Sequence, residues 1–203
     1  MAYTGGPLNE LNGKMGISAP QRSVPVMKLI RNHNPKSKDE LVELIKSHYE
    51  NNCQCGVRSK GTIEDFGRNL YESQIQYWGE YRYSLMDCIQ WEYDLFVTQS
   101  LKGNSIEKKA IKLLIKELPQ YFIEETNDYL DEELRIDILI KFMDVDKCGI
   151  QVKPNTFNKM RTGVISFNNS ANERWGKPVF YLFYDDNEDF QNISSIIEEI
   201  KKL

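Results

Sequence analysis

The chain is 203 residues long, 40% hydrophobic and 11% aromatic, enough apolar side chain to bury a core in one domain, or one domain with an appendage, and to exclude a disordered chain. Its net charge of -4 excludes a protein that coats nucleic acid regardless of sequence. The charge is uneven, however: residues 1–62 carry nine Lys/Arg against five Asp/Glu and the remainder seventeen against twenty-five, so a basic groove beside a carboxylate site is compatible with this balance.

No apolar run reaches the roughly 18 to 20 residues of a membrane span, and residues 1–15 lack the basic start and apolar centre of a signal peptide. The expectation is a cytoplasmic protein with no membrane partner. Its four cysteines, Cys53, Cys55, Cys88 and Cys148, are then expected as reduced thiols. Cys53 and Cys55 form a lone C-x-C without a second Cys/His pair at ligand spacing, which is not the pattern of a zinc site. His33 and His48 read as surface or capping groups.

In chain order, residues 1–26 are rich in Gly, Pro, Asn and Ser and predict an extended arm rather than a helix, one that wraps a partner subunit, lies along DNA or frays. "SKDELVELIKSHYENN" predicts an amphipathic helix capped by Ser37 or Asp39, with Leu41, Leu44, Ile45 and His48 on one face. After the "CQCGVRSKGT" loop, Thr62 caps a second helix carrying Ile63, Phe66, Leu70, Ile75 and Trp78. A third helical run, "SLMDCIQWEYDLFVTQSLKG", continues to Gly103. The aromatic residues between Tyr71 and Phe96 fall at helical spacing, which favours helix packing over a base-stacking surface.

The second half changes character. "NSIEKKAIKLLIKELP" predicts a helix capped by Asn104 or Ser105 and stopped at Pro119, followed by strands in "QYFIEET", "LRIDILIKF" and "CGIQVKP". The polar stretch "SFNNSANERWG" reads as a helix or a loop with one turn, "PVFYLFYD" as an apolar strand, and "EDFQNISSIIEEIKKL" as a closing amphipathic helix. The predicted fold class is α/β (α+β): a mixed central sheet flanked by helices over residues 104–203, behind a mainly helical part over residues 1–103.

Two features of the strands carry chemistry. Asp137 interrupts a β-branched strand, where an acid is costly to bury unless it has a purpose. Gln151 and Lys153, two apart on the next strand, project from the same face, and Lys153 ends that strand immediately before Pro154. A hairpin through "MDVDK" brings Asp137 near this pair.

The trio of Asp137 and "QVK" resembles the PD-(D/E)xK nuclease signature, with Gln151 where the family usually places an acid. The element order of residues 104–203 is similar to that family's restriction-endonuclease-like core, and the helix glutamate that often precedes its first strand falls on Glu107. In the first turn of its predicted helix, Glu107 has an alternative reading as a partner of the helix dipole. The resemblance implies a Mg²⁺ ion held by Asp137, Glu107 and the backbone carbonyl of Val152, with Gln151 adding a neutral oxygen. It also implies that Lys153 orients the attacking water and stabilises charge as the phosphorane forms. Glu72 and Glu92 are reserve acids in place of Glu107.

"QVKPNTF", together with the chain length, also resembles MjaI-type type II restriction endonucleases. That likeness implies cleavage of both strands of double-stranded DNA at a short palindrome, with CTAG as the candidate, by a homodimer whose two-fold axis matches that of the DNA. Candidate DNA contacts are Arg58, Lys60, Arg68, Asn155, Thr156, Lys159 and Arg161, since Arg reads guanine and Asn adenine in a bidentate manner. Two alternatives stand beside this reading. One is a structure-specific nuclease, such as a junction resolvase or repair enzyme. The other is a non-catalytic DNA- or partner-binding protein, which is favoured if Asp137 and Lys153 face opposite sides of the sheet.

Overall fold

A computed structural model describes residues 4–18, 23–51, 61–159 and 162–203. Cys53, Cys55, Arg58, Lys60 and Arg161 lie outside the described residues, as does the side chain of Lys159. The chain divides into two compact units, Met1–Asn104 and Ser105–Leu203.

The first unit is helical among its described residues. Residues expected as an extended arm form helix α1, Gly6–Met15, and the first residue of helix α2, Val26–His33. Proline in the first turn of α1 costs nothing, because the amide it lacks has no intrahelical partner there. Leu8 and Leu11, three residues apart, are buried, and Gly16 closes the helix in the left-handed conformation (φ 64°). Composition pointed to a loop, but spacing and caps dominate. Helix α3, Lys38–Glu50, is capped by Ser37, whose hydroxyl accepts from the Glu40 N–H. His48, expected at the surface, is buried on the inner face of α3 beside Leu41 and Ile45, and its pKa is lowered by that burial.

Helix α4, Ile63–Trp78, starts with a capping box between Thr62 and Asp65, and helix α5, Leu85–Tyr93, with one between Ser84 and Asp87. Ile63, Phe66 and Leu70 are buried as predicted, whereas Ile75 is exposed. Gly67 permits the close crossing of these helices, since a β-carbon there would lie 2.6 Å from the Ile89 Cα. The aromatic residues pack against one another and the helices: Phe66 tilts on Phe96, Tyr71 stacks on Tyr81, and Trp78 meets Tyr77 and Tyr83.

No new helix begins at Asn104. A π-helical segment, Asp94–Gln99, leads directly into helix α6, Ser100–Glu117, so Asn104 and Ser105 are interior positions and not caps. Glu107 therefore lies about two turns inside its helix, where the dipole no longer accounts for it.

In the second unit the predicted order of elements is present. Strands β1, Phe122–Glu125, β2, Ile138–Phe142, and β3, Val145–Pro154, form an antiparallel meander, and β4, Val179–Tyr184, joins β3 in parallel. Met143 and Asp144 form the two-residue β2–β3 turn, both at positive φ as the hairpin twist requires. Helix α7, Thr162–Glu173, occupies the Asn-rich stretch and links β3 to β4, and helix α8, Ile193–Lys201, ends the fold.

One face of the sheet, with Ile138, Ile140, Cys148, Ile150, Val152 and Leu182, packs against Ile106, Ala110 and Leu114 of α6 and Ile196 and Ile200 of α8. Side chains alternate along a strand, so Gln151 points to the other face, where Asn168 of α7 meets it. Burial holds the thiols of Cys88 and Cys148 at a pKa of about 12.

Candidate active site

Asp137 is not in mid-strand. It is the residue immediately before β2, and its backbone is held from both sides. Its N–H donates to the Ile150 carbonyl (2.9 Å), and its own carbonyl accepts from the Thr126 N–H at the end of β1 (3.3 Å). The approach to it is also fixed: Arg135 takes a positive φ of 58°, and Asn172 of α7 donates to the Leu134 and Arg135 carbonyls (2.8 and 3.3 Å).

β3 runs past the start of β2, so the Val152 N–H has no β2 backbone partner; the Asp137 carboxylate takes that place, with Oδ2 accepting from Val152 N at 2.7 Å. The same oxygen stands 4.0 Å from Lys153 Nζ, within ion-pair reach. The two side chains are 10% and 23% exposed, so the pair is sheltered without being sealed. Asp137 and Lys153 thus meet on the same side, which removes the condition favouring the non-catalytic reading.

Electrostatics add a second acid. Glu107 is half-buried on α6, and its pKa is pushed up to about 8, first by burial and then by the charges of Asp137, Asp131 and Glu125, with Lys153 opposing them. Asp137 is raised too, by burial, against the pull of Lys153 and of the Val152 hydrogen bond. Tyr184, on β4, has its hydroxyl pKa raised by burial and by both Glu107 and Asp137. Poorly hydrated carboxylates that repel one another are the arrangement that a bound cation relieves.

Gln151 is fully buried. Its Nε2 donates to Asn168 Oδ1 (2.9 Å), while its Oε1 has no hydrogen-bond partner among the described residues. Among the described residues no three His, Cys, Asp or Glu side chains form a cluster able to hold a metal ion. The Asp137 and Glu107 carboxylates and the orphaned Gln151 Oε1 are oxygens of the kind a hard divalent cation takes.

The other sequence candidates are not gathered here. Asn155 and Thr156 are exposed in the turn just after β3, and Lys159 ends a 3₁₀ turn, Phe157–Lys159. Arg68 is an exposed residue of α4, and Glu72 is exposed on the same helix. Glu92 is buried within the first unit, where Ser18 Oγ donates to its carboxylate at 2.6 Å. Sequence reading missed Asp131, Asn168 and Asn172. Only the two asparagines left a signal, their i, i+4 spacing on one helical face.

A family model, described as MjaI restriction endonuclease, matches residues 7–202. Comparison with curated proteins and with solved structures gave no match. The match spans nearly the whole chain, and both the sheet and the Asp137–Lys153 pair fall inside it: the chain belongs to the MjaI restriction endonuclease family.

Proposed function

We propose that the protein is a Mg²⁺-dependent type II deoxyribonuclease of the PD-(D/E)xK kind, acting as a cytoplasmic homodimer on a short DNA palindrome, with CTAG as the candidate site. In this reading residues 104–203 are the catalytic core, and residues 1–103 supply dimer and DNA contacts. The carrying observation is the Asp137 carboxylate, which holds the Val152 N–H at 2.7 Å and stands 4.0 Å from Lys153 Nζ.

Each residue then has a task its chemistry suits. Asp137 and Glu107 offer anionic oxygens. Val152 directs its N–H and its carbonyl to the same side of β3, so the carbonyl faces the side on which Asp137 lies. Gln151 offers a neutral oxygen. Mg²⁺, when bound, neutralises the phosphate and lowers the pKa of a water. The Lys153 ammonium orients that water and stabilises the charge that builds up as the phosphorane forms. Asn155 and Thr156 follow Lys153 and Pro154 and are exposed, which suits contact with DNA next to the cut; Lys159, Arg161, Arg58, Lys60 and Arg68 are the further DNA contacts proposed. A palindrome read by a two-fold dimer presents each strand with its own copy of this site.

The test is incubation of the purified protein with a defined plasmid and Mg²⁺ beside an Asp137→Ala control. Discrete fragments that vanish in the control support the reading, and their ends give the recognition sequence. Equal cutting by both proteins removes Asp137 from the chemistry.

A further inference from the structure

Gln151 presents a problem that an acid at its position would not. A carboxylate offers an oxygen whichever way it turns, but a carboxamide has one end that accepts and one that donates, and only the accepting end suits a cation or the oxygen of a metal-bound water. Something must choose the end.

The chain of hydrogen bonds leading away from Gln151 makes that choice. Asn168 Nδ2 donates to the Val164 carbonyl one turn earlier in α7 (2.8 Å), an acceptor that only the amide nitrogen can satisfy. Asn168 Oδ1 must then point the other way, toward Gln151, and being an acceptor it takes the Gln151 Nε2 hydrogen (2.9 Å). Gln151 Oε1 is left as the open end, in a residue that is 0% exposed and lies one position before Val152, whose N–H Asp137 holds. A buried acceptor without a partner is costly, and one that has none among the described residues is retained here on the side chain that shares a face with Lys153.

We infer that Asn168 is a positioning residue, which orients the Gln151 carboxamide so that Oε1 is presented to the metal or to its bound water, and that a neutral amide serves in place of an acid only because Asn168 is there. This rests on the nuclease reading above.

The experiment measures two quantities: the Mg²⁺ concentration giving half-maximal cleavage, and Mn²⁺ binding without DNA by electron paramagnetic resonance. Asn168→Ala is expected to weaken both by about tenfold or more, the scale for removing the partner of a ligand, with the thermal unfolding transition retained. Gln151→Glu combined with Asn168→Ala is expected to restore both, because either carboxylate oxygen serves. Asn168→Leu fills the same space without a polar end and stands in if the alanine variant does not fold. Wild-type values in folded Asn168→Ala or Asn168→Leu, or a double variant as weak as Asn168→Ala, overturn the inference while leaving the nuclease reading intact. Wild-type protein that neither cuts DNA nor binds Mn²⁺ overturns both.

Discussion

Asp137 Oδ2 accepts the Val152 N–H at 2.7 Å, so one carboxylate closes the end of the β2–β3 ladder and also faces Lys153. The structural and the chemical duties of this acid are separable. Asn at position 137 keeps an acceptor for the Val152 amide but loses the charge; Ala loses both. Asp137→Asn is expected to unfold near the wild-type temperature, with cleavage reduced on the order of 10²–10³-fold. Asp137→Ala should lose the same activity and in addition about 1–3 kcal/mol of stability, the penalty for an unpaired buried amide. Denaturation curves beside single-turnover cleavage rates check this, and equal stability of the two variants would mean that the hydrogen bond carries no weight.

Lys153 is 23% exposed and lies at ion-pair distance from a sheltered acid that is 10% exposed, so its removal also takes a compensating charge from Asp137. Lys153→Ala is expected to abolish detectable cleavage, a fall of about 10²-fold or more. DNA binding should stay largely intact, since one ammonium is a small share of the phosphate contacts that give affinity. Gel-shift titration in Ca²⁺ beside cleavage in Mg²⁺ separates the two effects. A parallel loss of binding would make Lys153 a phosphate anchor.

Glu92 sets a pH dependence independent of the site. It is fully buried, and burial raises its pKa to about 7 against the opposing effect of the Ser18 hydrogen bond. From about pH 4.5 to about 7 the folded state keeps a proton that the unfolded chain releases, so stability falls as pH rises through that window and is flat above it. The loss is at most about 3 to 4 kcal/mol, at about 1.4 kcal/mol for each unit. Glu92→Gln has no proton to lose. The gap between variant and wild-type unfolding temperatures should therefore move in favour of the variant from pH 5 to pH 8. A gap that does not change with pH would show that Glu92 ionises normally.

The second unit was legible where the pattern is periodic. The strands, the Pro119 stop and the apolar faces of α6 and α8 follow from alternation and helical spacing, and "QVK" marked the strand end. What stayed hidden depends on contacts that no local pattern encodes. Asp137 looks like a strand residue because its neighbours are β-branched, yet Arg135 at positive φ delays β2 until Ile138. The Asn104–Ser105 pair looks like a cap because isolated Asn and Ser favour caps, yet the preceding π-helical segment feeds helix straight through it. Asn168 has meaning only opposite Gln151, seventeen residues away.

Gly149 links the packing of the sheet to the placing of Asp137. It sits on β3 opposite Leu139, and a β-carbon there would lie 2.6 Å from Ile136 Cγ2 and 3.2 Å from Trp175 Cζ3. Ile136 is fully buried and immediately precedes Asp137, so a shift of its backbone moves the acid with it. Gly149→Ala is expected to cost about 1–3 kcal/mol by overpacking, and to lower cleavage further than that loss of folded protein explains, because Asp137 moves off the Val152 amide. Ile136→Ala in the same chain removes the methyl that the new β-carbon strikes. It leaves a void of its own, so stability should recover only in part, whereas cleavage per folded molecule should recover more. Single-turnover rates under conditions where each variant is fully folded decide the point: a double variant no more active than Gly149→Ala alone would show that the strike on Ile136 is not what displaces the carboxylate.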